Sequence, residues 1–196
     1  MEPMIVDGLA FTEPHKTNSN VWLSEGLVLK LDEFHPGKHP NKVNSLSEEA
    51  RILADLTHQG AVCAPKFHSQ GLRGDQPYLI IERIREAGEA PQIEVLRAFR
   101  ELMLLGYLHG DLKPQNVIWD GSAAVLIDFD QTVHDPSLAS LTIAEACNWA
   151  DARKGDLPWR QCGFLREQLQ RFGYPTNGGD PRLDLVMYPP RRAAEV

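Results

Sequence analysis

Apolar positions change their rhythm along the chain. In the first half they form short continuous or alternating runs. In the second half they recur every three to four residues. Leu27–Leu31 and Tyr78–Glu82 are apolar runs of strand length, and Val21–Leu23 precedes the first, with Ser24-Glu25-Gly26 as a hairpin turn. Ser45–Thr57 predicts a helix capped at Ser47, with Ile52, Leu53 and Leu56 on one face. Pro91 sits near the first turn of a second helix, on which Ile93, Leu96, Phe99, Leu102 and Met103 share a face. Two short strands follow, Val117–Trp119 and Ala124–Ile127, joined through Asp120-Gly121-Ser122. Leu138–Trp149 and Trp159–Phe172 read as helices, and polar, turn-rich stretches fall at Glu33–Ser47, Arg85–Ala90 and Pro175–Pro181. This order predicts a strand-rich first lobe and a helix-rich second lobe, joined near residue 85.

Composition narrows the class. A chain of 196 residues accommodates one domain or two small lobes around a cleft. The 42% hydrophobic content is that of a globular protein, and a net charge of −7 argues against a general nucleic-acid or anionic-membrane binder. Arg97, Arg100, Arg191 and Arg192 read as solubilising charges, so no nucleic-acid partner is expected. Cys63, Cys147 and Cys162 are odd in number and far apart, as expected of free thiols in a reducing compartment. No signal-peptide pattern and no membrane-length apolar run is present, so a cytoplasmic location is expected, with export by a route that leaves no such signal still open.

The chemistry concentrates in His109-Gly110-Asp111-Leu112-Lys113-Pro114-Gln115-Asn116 and in Ile127-Asp128-Phe129-Asp130. A helix delivers a polar loop, and the loop hands over to a hairpin that ends in a carboxylate. Asp111, Asn116 and Asp128 then supply three oxygen-bearing groups of the kind that hard Mg²⁺ and its phosphate ligands require. Lys113 adds a positive charge suited to a migrating phosphoryl group.

With these residues the sequence resembles the protein-kinase-like superfamily: H-G-D-L-K-P-Q-N is similar to the catalytic loop and I-D-F-D to the D-F-G metal motif. The resemblance implies an α+β, two-lobed kinase-like fold as a single domain over residues 1–196. A β-rich N-lobe would span about 1–84, and a reduced helical C-lobe about 85–196. It implies ATP and Mg²⁺ as cofactors. Asp111 would be the base, Lys113 would steady the γ-phosphate, and Asn116 and Asp128 would hold metal. L-V-L-K supplies the strand lysine, Lys30, and Glu49 would pin it, with Glu48 as the fallback. Ile81 would be the gatekeeper, the backbone of Glu82 and Ile84 would pair with the adenine edge, and Val28 and Ile118 would sandwich the base.

Four departures qualify the resemblance. The loop from His15 to Val21 contains no glycine, so Thr17, Ser19 or the asparagine amides, with Lys16, would contact phosphate. Gly110 stands where an arginine would pair with an activation-loop phosphate. The enzyme is therefore expected to be constitutively competent or controlled by a protein partner. Asp130 replaces a glycine and would either join the metal shell or cap the following turn, the second being preferred. No A-P-E motif follows, and the stretch after Asp128 is too short for the full helical lobe of a conventional protein kinase. Asp135-Pro136-Ser137-Leu138-Ala139 is similar to a stretch of aminoglycoside and choline phosphotransferases. D-L-K-P-x-N favours a serine/threonine protein kinase acting on a protein substrate. The alternatives are a small-molecule kinase for a sugar, aminoglycoside or lipid headgroup, and a pseudokinase scaffold.

Overall fold

The computed structural model describes residues 2–15, 18–32, 44–153 and 165–175. The elements in order are β1 (Met4–Val6), β2 (Leu9–Phe11), β3 (Glu13–His15), β4 (Asn18–Leu23), β5 (Leu27–Leu31), α1 (Leu46–His58), β6 (Phe67–Arg73) and β7 (Gln76–Glu82). Then come α2 (Gln92–Leu104), β8 (Tyr107–Leu108), β9 (Val117–Trp119), β10 (Ala124–Leu126), β11 (Val133–His134), α3 (Ile143–Ala152) and α4 (Leu165–Gln170). Strands therefore dominate the first part and helices the second, in a mixed α/β architecture.

Five antiparallel strands form one sheet in the order β3-β4-β5-β7-β6. Central β5 pairs with β7 in the register Val28↔Ile81, Leu29↔Ile80 and Lys30↔Leu79. Because side chains alternate along a strand, Leu29 and Leu31 face one way and Val28 and Lys30 the other. The first face, with Tyr78 and Ile80, buries Val6 and Phe11 of the β1–β2 hairpin. The second face carries Leu79 and Ile81 into a larger core with Ile52, Leu53 and Leu56 of α1. That core continues through Phe99, Leu102 and Met103 of α2 to Ala146 of α3 and Leu169 of α4. The two parts of the chain thus share one continuous apolar interior.

The β1–β2 hairpin is fastened by one residue. Asp7 and Gly8 both take positive φ (52° and 75°), the conformation a tight two-residue hairpin demands. Asp7 Oδ1 accepts from Tyr78 Oη at 2.6 Å, and its Oδ2 accepts from Ser69 Oγ at 3.0 Å. This hairpin and β6 carry too few apolar residues to stand out in the sequence.

Several boundaries differ from the sequence expectation. The cap of α1 is Ser45, not Ser47: its side chain accepts from Glu48 N. The expected helix from Leu138 begins at Ile143. Asp135 instead caps a short 3₁₀ turn, Pro136–Ser140, and Thr142 and Glu145 form a fresh capping box that restarts the chain as α3. Of the expected helix Trp159–Phe172, α4 accounts for Leu165–Gln170; residues 159–164 lie outside the described residues, as do Cys162, Asn177–Asp180, Arg191 and Arg192. Cys63 and Cys147 are free and buried, and burial pushes the Cys147 thiol up to about 11. No helix among the described residues is long and apolar enough to cross a membrane.

A Cβ on Gly71 would lie 2.6 Å from Tyr78 Oη. Gly71→Ala should therefore displace the Tyr78 hydroxyl from Asp7 and destabilise the protein by about 1–3 kcal/mol. Denaturant unfolding measures this. Tyr78→Phe in the same background should recover part of the loss by removing the clashing atom.

Candidate active site

A cleft of about 1300 Å³ lies between the sheet and the β9–β10 hairpin. Val21, Val28 and Lys30 line it from the sheet, Ile81 to Glu86 from the connecting segment, and Asn116, Ile118, Ile127 and Asp128 from the opposite side. Lys30, Val28, Ile81, Glu82, Ile84, Ile118, Asn116 and Asp128 thus share one cleft, although the sequence spreads them over about half the chain. Glu49, Asp111 and Lys113 stand just behind these lining residues.

Lys30 projects from β5 toward α1, where Glu49 lies one helical turn past the Ser45 cap. Lys30 Nζ sits 2.6 Å from Glu49 Oε1 and 3.4 Å from Asp128 Oδ1. Burial works against the lysine charge, but the two carboxylates outweigh it and hold the Lys30 pKa above the ordinary value. At Asp128, burial pushes the carboxyl up, and the Lys30 ammonium overcomes this and holds it below the usual carboxylate value. Glu48 points elsewhere and pairs with exposed Arg51. Glu49 also accepts from Phe129 N at 3.3 Å, so one carboxylate touches both the strand lysine and the Asp128 segment.

Asp111 lies in the loop after β8 and is only 6% exposed. Its Oδ2 accepts from Lys113 Nζ at 2.5 Å and from Asn116 Nδ2 at 2.9 Å. Asn116 Nδ2 also donates to the Asp111 carbonyl, which leaves its own amide oxygen for the cleft. His109 is buried, with Nε2 2.9 Å from Ile127 O. Burial lowers its pKa against the pull of that carbonyl, so the ring is neutral near pH 7. It packs on Phe129 with ring centroids 5.1 Å apart.

The Asp128 backbone is left-handed (φ 68°), a conformation that costs a non-glycine residue about 1–3 kcal/mol and gathers at functional sites. Asp130 departs from the preferred expectation. It does not cap the turn: its Oδ1 is buried without a hydrogen-bond partner among the described residues. Burial, followed by the charges of Asp128 and Glu49, pushes its carboxyl up to about 7. Asp130 sits in a short 3₁₀ turn rather than at positive φ, and so it needs no glycine.

Two further expectations are modified. Around the glycine-free segment, β3 and β4 pair as antiparallel strands, with His15 opposite Asn18. Lys16, Thr17 and the Ser19 side chain lie outside the described residues. At the connecting segment, Glu82 N already donates to Lys66 O at 2.9 Å, and the Glu82 carboxylate accepts from Lys66 N. Glu82 can therefore offer an adenine edge only its carbonyl, not its N–H.

The residue pattern gave no sign of Asn44. Its side-chain amide donates to Phe129 O (3.1 Å) and Thr132 O (2.9 Å), and its backbone N donates to Asp130 O (2.8 Å). An isolated asparagine before a helix carries no signal that marks a partner 85 residues away.

The lysine, the helical glutamate, the buried loop aspartate Asp111 and the left-handed Asp128 converge on one cleft beneath an antiparallel sheet. A family model described as "APH: Phosphotransferase enzyme family" matches residues 83–156, the stretch holding Asp111, Asn116 and Asp128. Similar solved structures include WbdD in complex with the kinase inhibitor LY294002 (15% identity, 88% of this chain and 48% of that chain, TM-score 0.47). A second structure of WbdD, there described as a bifunctional kinase-methyltransferase, has 17% identity over 88% of this chain and 49% of that chain (TM-score 0.45). The PK-1 kinase of Cydia pomonella granulovirus has 16% identity over 63% and 52% (TM-score 0.45). The chain spans about half the length of these structures. No curated protein matches the chain.

Asn44→Ala removes the two side-chain bonds to the Asp128 segment. It should lower stability by about 1–3 kcal/mol and speed amide exchange over residues 129–132. Asn44→Asp should be worse, because it sets a carboxylate against two carbonyl oxygens. Thermal unfolding and hydrogen exchange measure both.

Proposed function

We propose that this chain is a kinase-like phosphotransferase, dependent on ATP and Mg²⁺, that moves the terminal phosphoryl group of ATP to a hydroxyl. The arrangement around Asp111 carries the reading. Both Lys113 and Asn116 bond to Oδ2, which leaves Oδ1 to accept from an incoming hydroxyl. Asn116 and Asp128 offer oxygen donors to the same cleft. Among the described residues no group of three or more His, Cys, Asp or Glu gathers as a metal cage. Two protein oxygens suit Mg²⁺, which keeps waters and takes phosphate oxygens as its other ligands. Mg²⁺ held by Asn116 and Asp128 would neutralise charge on the phosphates. Lys30, oriented by Glu49, binds and aligns them. Asp111 orients the acceptor hydroxyl and takes its proton, and Lys113 balances charge as it builds beside the base.

A serine or threonine hydroxyl on a protein is the first acceptor we assign, because Lys113 pairs with the base at the position that serine/threonine protein kinases use. The second reading, a small-molecule hydroxyl, draws support from the phosphotransferase family model over residues 83–156. The supply of ATP and the buried free thiols Cys63 and Cys147 suit work in the cytoplasm. With Gly110 in place of an arginine, the enzyme is constitutively competent or controlled by a protein partner, not by an activation-loop phosphate.

Asp111→Asn should retain Mg²⁺-dependent thermal stabilisation by ATP yet lose transfer by at least about 100-fold. Asp128→Ala should lose the metal-dependent part of that stabilisation as well. Labelled ATP added to lysate should mark a protein band for the first reading, or small molecules alone for the second. Stabilisation absent from the wild type, with or without metal, would leave the scaffold reading in place.

A further inference from the structure

The loop from His109 to Leu112 is buried yet forms neither helix nor strand, so its peptide groups need partners from elsewhere. One side chain supplies two of them. Gln168 Nε2 donates to Gly110 O at 2.8 Å, and Gln168 Oε1 accepts from Leu112 N at 2.9 Å. These groups belong to the residues immediately before and after Asp111. Gln168 is 1% exposed and sits on α4 between Leu165 and Leu169, which are buried in the core. An apolar side chain would fill this position without the cost of burying an amide. The amide is matched end to end to one donor and one acceptor, a geometry that only Gln or Asn can provide.

We propose that Gln168 is a positioning residue for catalysis, clamping the peptide groups on both sides of Asp111 so that its carboxylate meets the acceptor hydroxyl in one orientation. The proposal rests on the phosphotransferase reading for the role of Asp111. The side-chain bonds from Lys113 and Asn116 set where the carboxylate points, and the Gln168 clamp sets where its backbone stands. A displacement of a fraction of an ångström at such a group is felt in the chemical step, not in nucleotide binding. Gln168 bonds to the Asp111 loop, whereas Lys30 is held by Glu49 and Asp128, so loss of the clamp is expected to spare nucleotide binding.

The test compares the wild type with Gln168→Met, which keeps the volume and removes both hydrogen bonds. In the wild type, the Leu112 amide should be protected from hydrogen exchange as strongly as the Leu126 amide, which donates to Cys63 O within the core. In Gln168→Met that protection should fall. The kcat for Mg²⁺-dependent ATP hydrolysis should drop at least about tenfold, with the KM for ATP held within about twofold and thermal stabilisation by Mg²⁺ and ATP retained. A folded Gln168→Met protein with wild-type kcat overturns the proposal. So does a wild-type Leu112 amide that exchanges like an exposed loop, a measurement that needs no variant to fold. Exchange reads the clamp with neither nucleotide nor acceptor present. A wild type that binds and hydrolyses no ATP would instead defeat the phosphotransferase reading, and the two failures are distinct.

Discussion

The ion pair between Lys30 and Glu49 joins the sheet to α1, and Glu49 carries the link onward to the backbone of Phe129 beside Asp128. Removing two charges from water is costly, and a pair of apolar side chains in the same space would hold β5 and α1 together at least as well. The pair makes sense as a device for keeping a cation at the edge of the cleft. Asp128 lies 3.4 Å from the same ammonium, so Lys30 sits between two carboxylates and remains charged throughout the physiological range. The Lys30–Glu49 pair fixes the rotation of α1, and through Phe129 it fixes the turn that holds Asp128.

The second requirement is satisfaction of irregular backbone. The Asp111 and Asp128 segments are loops, and loops buried in a core must find hydrogen-bond partners for their peptide groups. Here the partners are side-chain amides. Asn44 serves residues 129–132, Asn116 serves Asp111, and Gln168 serves Gly110 and Leu112. Thr132 Oγ1 adds a bond to His109 O. These clamps come from three distant parts of the chain and converge on two short loops. They hold the Asp128 segment and the Asp111 loop. Asp130, with an unpaired buried oxygen and a raised pKa, is where the arrangement leaves electrostatic tension rather than relieving it.

Much of this was legible in the residues, because the elements that matter have strong local signals. The apolar run ending in Lys30, the amphipathic face of α2 and the hairpin through Asp120-Gly121-Ser122 each rest on period or turn chemistry within a dozen residues. What escaped had no local signal. The β1–β2 hairpin and β6 are short and half exposed. The α3 boundary depended on two competing caps, Asp135 and Thr142. Nor could the residues show that the Glu82 N–H is taken by Lys66 O, which leaves only the carbonyl of Glu82 for the cleft.

The sequence by itself determined the chemical inventory and its order: a strand lysine, a helical glutamate, the loop from His109 to Asn116, and the aspartate after an apolar strand. Covalent order and hydrophobic period are local properties, and the residues state them directly. Tertiary structure alone decided which atoms meet. It set the Lys30 ammonium between Glu49 and Asp128, put Asp128 into a left-handed conformation, left one oxygen of Asp111 free of Lys113 and Asn116, and brought Asn44 and Gln168 to loops far away in the chain. Those choices follow from helix rotation, strand register and the need to pair every buried peptide group. Each is a property of the packed whole and is written in no single segment.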